Sequence, residues 1–290
     1  METQLDGGYE GRFEGSDLPL FLYGTAWKEE RTRAVTLQAL AVGFRGIDTA
    51  NQRRHYHEAE VGAAIGEAIQ AGRLQRSELF LQTKFTFRAG QDHRLPYDPA
   101  AAVAQQVRQS FDSSLRHLGV TTLDSYILHG PSQRYGLSAS DWEAWRAMEA
   151  LCDEGRVGQL GVSNVTIDQL RELSSSARIG PRFVQNRCFA VQRWDADVRH
   201  FCRAQGMIYQ GFSLLTANHD YLFTEPIVRL ANKYHRTAAQ VVFRFALDVG
   251  IWPLTGSTNG DHLRQDLSID DFRLLEAEIG QVERIAVRAS

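Results

Sequence analysis

Cysteine is scarce in this chain. Its 290 residues contain Cys152, Cys188 and Cys202, odd in number, far apart and without a CxxC pair. That excludes a disulfide framework and a thiolate zinc site. His55 and His57 alternate in "HYH", but no further ligand is spaced to join them, so no metal is expected. No apolar run approaches the ~18 residues that span a bilayer. Positive charge is not in excess: the formal net charge is -3, which argues against a nucleic-acid partner. The opening "METQLDGGYEGRFEG" lacks the basic end and apolar stretch of a signal peptide. These absences point to a protein of a reducing cytoplasm. No GxGxxG follows the first strand, which weakens a dinucleotide-binding open sheet.

Periodic alternation fills the rest of the chain. Short apolar runs at 20–25, 44–48, 79–84, 123–129, 157–164, 182–186, 206–213 and 251–256 each precede a stretch of helical spacing. Gly43, Gly72 and Gly119 stand at helix ends, Pro99 stands near a helix start, and Ser140 suits an N-cap. About eight βα units imply parallel strands with right-handed crossovers. They close most readily into a (β/α)8 TIM barrel, with a doubly wound open sheet as the alternative. With 43% hydrophobic residues and no composition break, 1–290 reads as a single domain. Residues 1–19 suggest an N-terminal hairpin over the barrel's bottom. Residues 268–287 suggest an extra C-terminal helix with Phe272, Leu275, Ile279 and Val282 on its packed side.

In such a barrel the chemistry lies where the strands end. The first strand ends in Gly24, Thr25 and then Trp27; the second in Asp48 and, after a loop, Tyr56. Lys84 ends the third, His129 the fourth, Ser163 and Asn164 the fifth, and Gln185 and Asn186 the sixth. Phe212 and Ser213 end the seventh, and "TGSTNG" the eighth. Alone, Asp48 reads as a turn or cap, Lys84 as a solvated strand end, His129 as a packed polar residue and Tyr56 as a loop residue. Together an acid, a phenol, an amine and an imidazole form a proton-transfer set. A phenol with a pKa near ~10 is a weak donor at neutral pH, and a cation at Lys84 is expected to lower it. Asp48 holds the lysine in place, and neutral His129 orients a carbonyl oxygen. The set lacks a reductant, so a bound cofactor is expected to supply one.

These residues resemble the aldo-keto reductase family over nearly the whole chain. "GFRGIDTA" resembles its second-strand signature, "LFLQTKF" its lysine strand, "SLRHLGVTTLDSYILHGP" its histidine strand, and "WEAWRAMEALCDEGRVGQLGVSN" its fourth helix and fifth strand. The resemblance implies NAD(P)H-dependent reduction of aldehydes or ketones, with Asp48, Tyr56, Lys84 and His129 as the catalytic tetrad and Tyr56 as proton donor. It implies that Ser163, Asn164 and Gln185 bind the nicotinamide amide and that Phe212 stacks on the ring. Ser213 and Thr255, Gly256, Ser257 and Thr258 would approach the diphosphate and adenosine ribose, with backbone amides at the helix start suiting an anion. Gly24, Thr25, His262 and Asp266 complete the expected cofactor set, and Trp27, Tyr56 and His129 the substrate pocket. Three departures stand out. Seven residues separate Asp48 from Tyr56 where the family usually has four. Gly256 and His262 replace a lysine and an arginine used for the 2′-phosphate; NADPH is the expected cofactor, with NADH the alternative and Arg264 a substitute cation. Gly130 replaces a bulky aromatic, which opens the substrate site. The alternative is a cofactor-binding regulatory subunit with little or no turnover. A monomer or small homo-oligomer acting on a small carbonyl compound is expected.

Overall fold

The structure, a computed structural model, describes Phe13 and residues 16–286. Eight parallel strands close into a barrel in chain order: β1 (Leu22–Gly24), β2 (Gly46–Asp48), β3 (Phe80–Phe85), β4 (Leu123–Leu128), β5 (Val157–Ser163), β6 (Phe183–Arg187), β7 (Ile208–Phe212) and β8 (Ile251–Thr255). Closure is direct, since Leu22 lies opposite Gly46 on one side and Leu254 on the other. One helix follows each of the first six strands: α1 (Thr32–Val42), α2 (Glu58–Gln70), α3 (Val103–Leu118), α4 (Ala139–Asp153), α5 (Ile167–Ser176) and α6 (Ala196–Ala204). Two, α7 (Glu225–Tyr234) and α8 (Ala238–Asp248), lie between β7 and β8, and α9 (Gly260–Leu267) and α10 (Glu276–Glu283) follow β8. The expected (β/α)8 barrel is therefore the observed fold, and the open-sheet alternative falls.

Side-chain alternation builds the barrel interior in layers. At the N-terminal end Phe80, Phe183 and Trp252 meet with ring centroids 5.0, 5.4 and 5.8 Å apart, and Phe13 stacks on Trp252 at 5.9 Å. Two residues further along β3, β6 and β7 the layer is polar: Gln82, Gln185 and Gln210, all buried. Two residues further again on β3 stands Lys84, wholly shut from solvent. The site thus sits on an amide layer, which in turn sits on an aromatic plug.

Local details depart from the sequence reading in three places. Ser138, not Ser140, caps α4: its Oγ accepts from the Asp141 amide at 3.1 Å while Asp141 returns a bond to the Ser138 amide. The extra helix is shorter than 268–287. Asp248 accepts from the Leu274 amide at 3.0 Å and from Arg273, which ties the chain down before the helix begins. Leu275 becomes the α10 N-cap and is 60% exposed rather than part of the packed stripe, whereas Val282 is buried. The proposed N-terminal hairpin lies largely outside the described residues. The part described is a turn, in which the Phe13 amide donates to the Leu18 carbonyl at 3.0 Å.

Candidate active site

Asp48 and Lys84 form a buried ion pair at the C-terminal ends of β2 and β3. Lys84 Nζ donates to Asp48 Oδ1 and Oδ2, both at 2.7 Å, and to the Thr49 carbonyl at 2.8 Å. All three ammonium hydrogens are thereby committed. Burial pulls Lys84 below its ordinary pKa, and the Asp48 carboxylate opposes that shift.

Tyr56 reaches this pair despite the longer loop. The extra residues wind into one turn, with the Tyr56 amide donating to the Gln52 carbonyl at 3.0 Å and the His55 amide to the same oxygen at 3.1 Å. Gln52 Nε2 fastens the turn to the Gly90 carbonyl at 2.6 Å. Behind it α2 lies hard on the end of α3: a Cβ at Gly62 would come within 1.9 Å of the His117 carbonyl oxygen. Lys84 Nζ lies 5.3 Å from the Tyr56 ring centroid, and the His129 ring packs edge-on at 5.9 Å.

The electrostatics correct one expectation. Burial, reinforced by the Asp48 charge, raises the Tyr56 pKa instead of lowering it. The Lys84 charge, paired with Asp48, does not outweigh that burial in the resting site. His129 is driven well below its ordinary value, first by burial and then by Lys84, so the imidazole is neutral. Its Nδ1 lies 2.6 Å from Thr86 Oγ1, a partner the sequence reading missed.

Asp48, Tyr56 and His129 line one end of a cavity of about 920 Å³. Of the expected cofactor residues, Gly24, Ser163, Asn164, Gln185, Phe212, Ser213, Thr255, Gly256, Ser257, His262 and Asp266 also line it. Two do not. Thr25 is fully buried, its hydroxyl donating to the Asp48 carbonyl at 3.0 Å, so it braces β1 against β2. Thr258 is exposed beyond the cavity wall. The start of α9 is also less open to an anion than its position implies, because Asn259 Oδ1 already accepts from the Asp261 amide at 2.8 Å and the His262 amide at 3.5 Å.

The cation near Gly256 comes from elsewhere in the chain. Arg264 turns to Asp261 and does not line the cavity. Lys28, in the loop after β1, donates to the Gly256 carbonyl, and a Cβ at Gly256 would lie 3.2 Å from its Nζ. The sequence reading passed over Lys28 although it directly follows Trp27. It also passed over Arg187, whose guanidinium lies 5.6 Å from the Phe212 ring centroid. Trp27 is 64% exposed at the mouth and stacks on His55 at 3.9 Å.

Asp266 is buried at the Gly256 end, accepting from Thr255 Oγ1 at 2.7 Å. Burial, only partly offset by that bond, pushes its carboxyl up to about 7. Between pH ~4 and ~7 the folded chain keeps a proton that the unfolded chain has lost, so stability falls as pH rises through that window. Asp266→Asn keeps an acceptor for Thr255 without the charge. It should stabilise the protein by about 2–4 kcal/mol at pH 8 and by little at pH 4. Urea unfolding at the two pH values measures this, and equal stabilities at pH 8 would refute it.

A family model described as the aldo/keto reductase family matches residues 22–287. An NAD/NADP-dependent indole-3-acetaldehyde reductase of Schizosaccharomyces pombe is 32% identical over 255 residues, covering 86% of this chain and 82% of the relative. A Bacillus subtilis protein described as the uncharacterized oxidoreductase YtbE is 30% identical over 274 residues, covering 93% and 90%. Among solved structures, an aldo-keto reductase from a Medee basin deep-sea metagenome library superposes with a TM-score of 0.80 at 23% identity, covering 94% of this chain and 93% of the other.

Proposed function

Because this chain belongs to the aldo/keto reductase family, we propose that Asp48, Tyr56, Lys84 and His129 carry its chemistry and that the groove beside them holds its cofactor. The activity is NAD(P)H-dependent reduction of carbonyl compounds. One observation carries the assignment of residues: a phenol, a neutral imidazole and a carboxylate meet at one end of a single large cavity, with the ammonium that the carboxylate anchors directly behind them, 5.3 Å from the phenol ring.

The donor set along that cavity suits a nicotinamide dinucleotide. Ser163 and Gln185 offer polar groups at the tyrosine end, Phe212 offers a ring to stack on, and Lys28 beside Gly256 offers a charge to a phosphate. When bound, the dihydronicotinamide supplies the hydride. The chain's own residues do the rest. A carbonyl oxygen between Tyr56 and His129 receives two hydrogen bonds. With Thr86 Oγ1 as donor to His129 Nδ1, the tautomer this role requires, the ring proton sits on Nε2 for that purpose. As charge builds on the oxygen, Tyr56 gives up its proton, and the ammonium 5.3 Å from its ring stabilises the phenolate left behind. Asp48 keeps the ammonium charged and fixed.

At the mouth, exposed Trp27 and half-buried His55 with small Gly130 favour a wide site for small aldehydes or ketones, aromatic ones included. The free cysteines fit a single-domain protein of a reducing cytoplasm, and the proposed form is a monomer or small homo-oligomer.

The test is loss of NADPH or NADH absorbance on adding a reactive aromatic aldehyde to the purified protein. Tight cofactor binding with no turnover would overturn the residue roles. In the same assay Lys28→Ala should raise the KM for NADPH about tenfold, as loss of a charge-assisted phosphate bond does. An equal rise for NADH assigns Lys28 to the diphosphate, a rise for NADPH alone to the 2′-phosphate, and no rise in either removes it from the site.

A further inference from the structure

The barrel's amide layer has a direction, and Asp48 sets it. Asp48 Oδ1 accepts from Gln82 Nε2 at 2.6 Å and from Gln185 Nε2 at 3.0 Å, besides the lysine. A carboxylate only accepts, so both glutamines must turn their NH2 ends toward it. Gln210 lies against those same two NH2 groups and meets both with its Oε1, at 2.9 Å each. Its own Nε2 then donates to Gln82 Oε1 at 3.0 Å, which closes a reciprocal amide pair across the barrel. Gln82 and Gln210 are wholly buried and Gln185 is 3% exposed, so water cannot substitute for a lost partner at little cost.

The consequence falls on Gln185, which also lines the cavity. Both hydrogens of its NH2 are spent below, on Asp48 and Gln210. What remains for the cavity is its carbonyl oxygen, which accepts no hydrogen bond from the described residues.

We propose that Gln210 is a positioning residue that locks the amide of Gln185 with its carbonyl toward the cavity, so that the site selects a cofactor ring bearing an N–H donor. The inference rests on the reading of Gln185 as the partner of the cofactor's carboxamide. Gln210 itself touches neither cofactor nor substrate. It acts together with Asp48, by taking the second hydrogen of the Gln185 amide so that none is left to turn toward the cavity.

The experiment compares the affinity of the purified protein for NADP+ and for its 3-acetylpyridine analogue, which has a carbonyl but no amide N–H, by calorimetry. The wild-type protein should prefer NADP+ by about tenfold, the size of one well-placed hydrogen bond. In Gln210→Met, of similar length but without an acceptor, the Gln185 amide is held by the Asp48 bond alone and its second hydrogen is released toward the cavity, so the preference should shrink to about twofold or less. In Gln210→Glu, which keeps an oxygen facing both amides, the preference should persist. An unchanged preference in Gln210→Met overturns the proposal, and so does its equal loss in Gln210→Glu, which would make shape rather than the acceptor the cause. Should Gln210→Met fail to fold, Gln210→Asn, which withdraws the carbonyl from both donors, carries the same expectation. If neither dinucleotide binds the wild-type protein, the cofactor site fails along with the proposal. If both bind and only the preference is unaffected, the cofactor site stands and Gln210 alone loses its role.

Discussion

Tyr56→Phe should cut turnover by about 10²–10⁴-fold, the usual contribution of a positioned general acid. Cofactor affinity should change by no more than about twofold, because the substitution removes one oxygen and leaves the ring in place. The ring is what His129 packs against at 5.9 Å and what the Lys84 ammonium faces at 5.3 Å, so the variant should keep its local packing. The raised pKa of Tyr56 fits a proton donor. It keeps the phenol protonated at neutral pH, and the proton leaves only as the developing alkoxide becomes the stronger base. A corollary is that no phenol ionisation should limit the rate near neutral pH. Steady-state kinetics with a saturating aldehyde, paired with a binding measurement for NADPH, checks both halves. A variant within tenfold of wild-type turnover would show that another group delivers the proton and that the turn at 52–56 brings Tyr56 to the cavity for some other purpose.

That turn marks the boundary of what the sequence could tell. Strand ends were legible because hydrophobic period and glycine stops locate them within a residue or two, and barrel closure aims all of them at one mouth. Asp48, Lys84 and His129 follow from that alone. Tyr56 does not, since three additional residues in its loop have no period. Only the hydrogen bonds from 55 and 56 back to the Gln52 carbonyl reveal that they are taken up in a coil. Thr25 is the opposite case. It stands at a strand end, but the in–out alternation there turns its hydroxyl to a neighbouring strand. The lengths of the last helix and of α4 turned on which of several acids and serines win the backbone amides, a competition decided by tertiary contacts such as Asp248 with Leu274. Lys28 and the glutamine layer were missed because their meaning lies in distant partners, Gly256 for one and β2, β6 and β7 for the other.

The buried ion pair beneath the tyrosine yields the second large effect, one in which stability and activity should part company. Lys84→Met leaves the Asp48 carboxylate buried with only the Gln82 and Gln185 amides as donors. Asp48→Asn leaves the ammonium with the Thr49 carbonyl and one neutral amide oxygen. Each strands a charge in a site almost shut from solvent, at a cost of about 3–5 kcal/mol. The double variant strands none. An amide beside a methionine is neutral, nearly the same shape, and still accepts from the two glutamines. It should therefore be more stable than either single variant, so that the two losses are far from additive. Turnover should behave differently. All three variants lack the positive charge, or its anchorage, at the moment the phenolate forms, and each should fall by about 10²–10³-fold, as when one transition-state donor is removed. Recovery of stability in Asp48→Asn/Lys84→Met without recovery of rate would separate the two roles of the pair, which crystal packing or spectroscopy of the resting protein could not do. Urea unfolding of the four proteins, set beside their rates of NADPH oxidation, gives the comparison. Additive stability losses would mean that water reaches the pair after all. A double variant restored in rate as well as stability would mean that Lys84 serves only to fill the barrel.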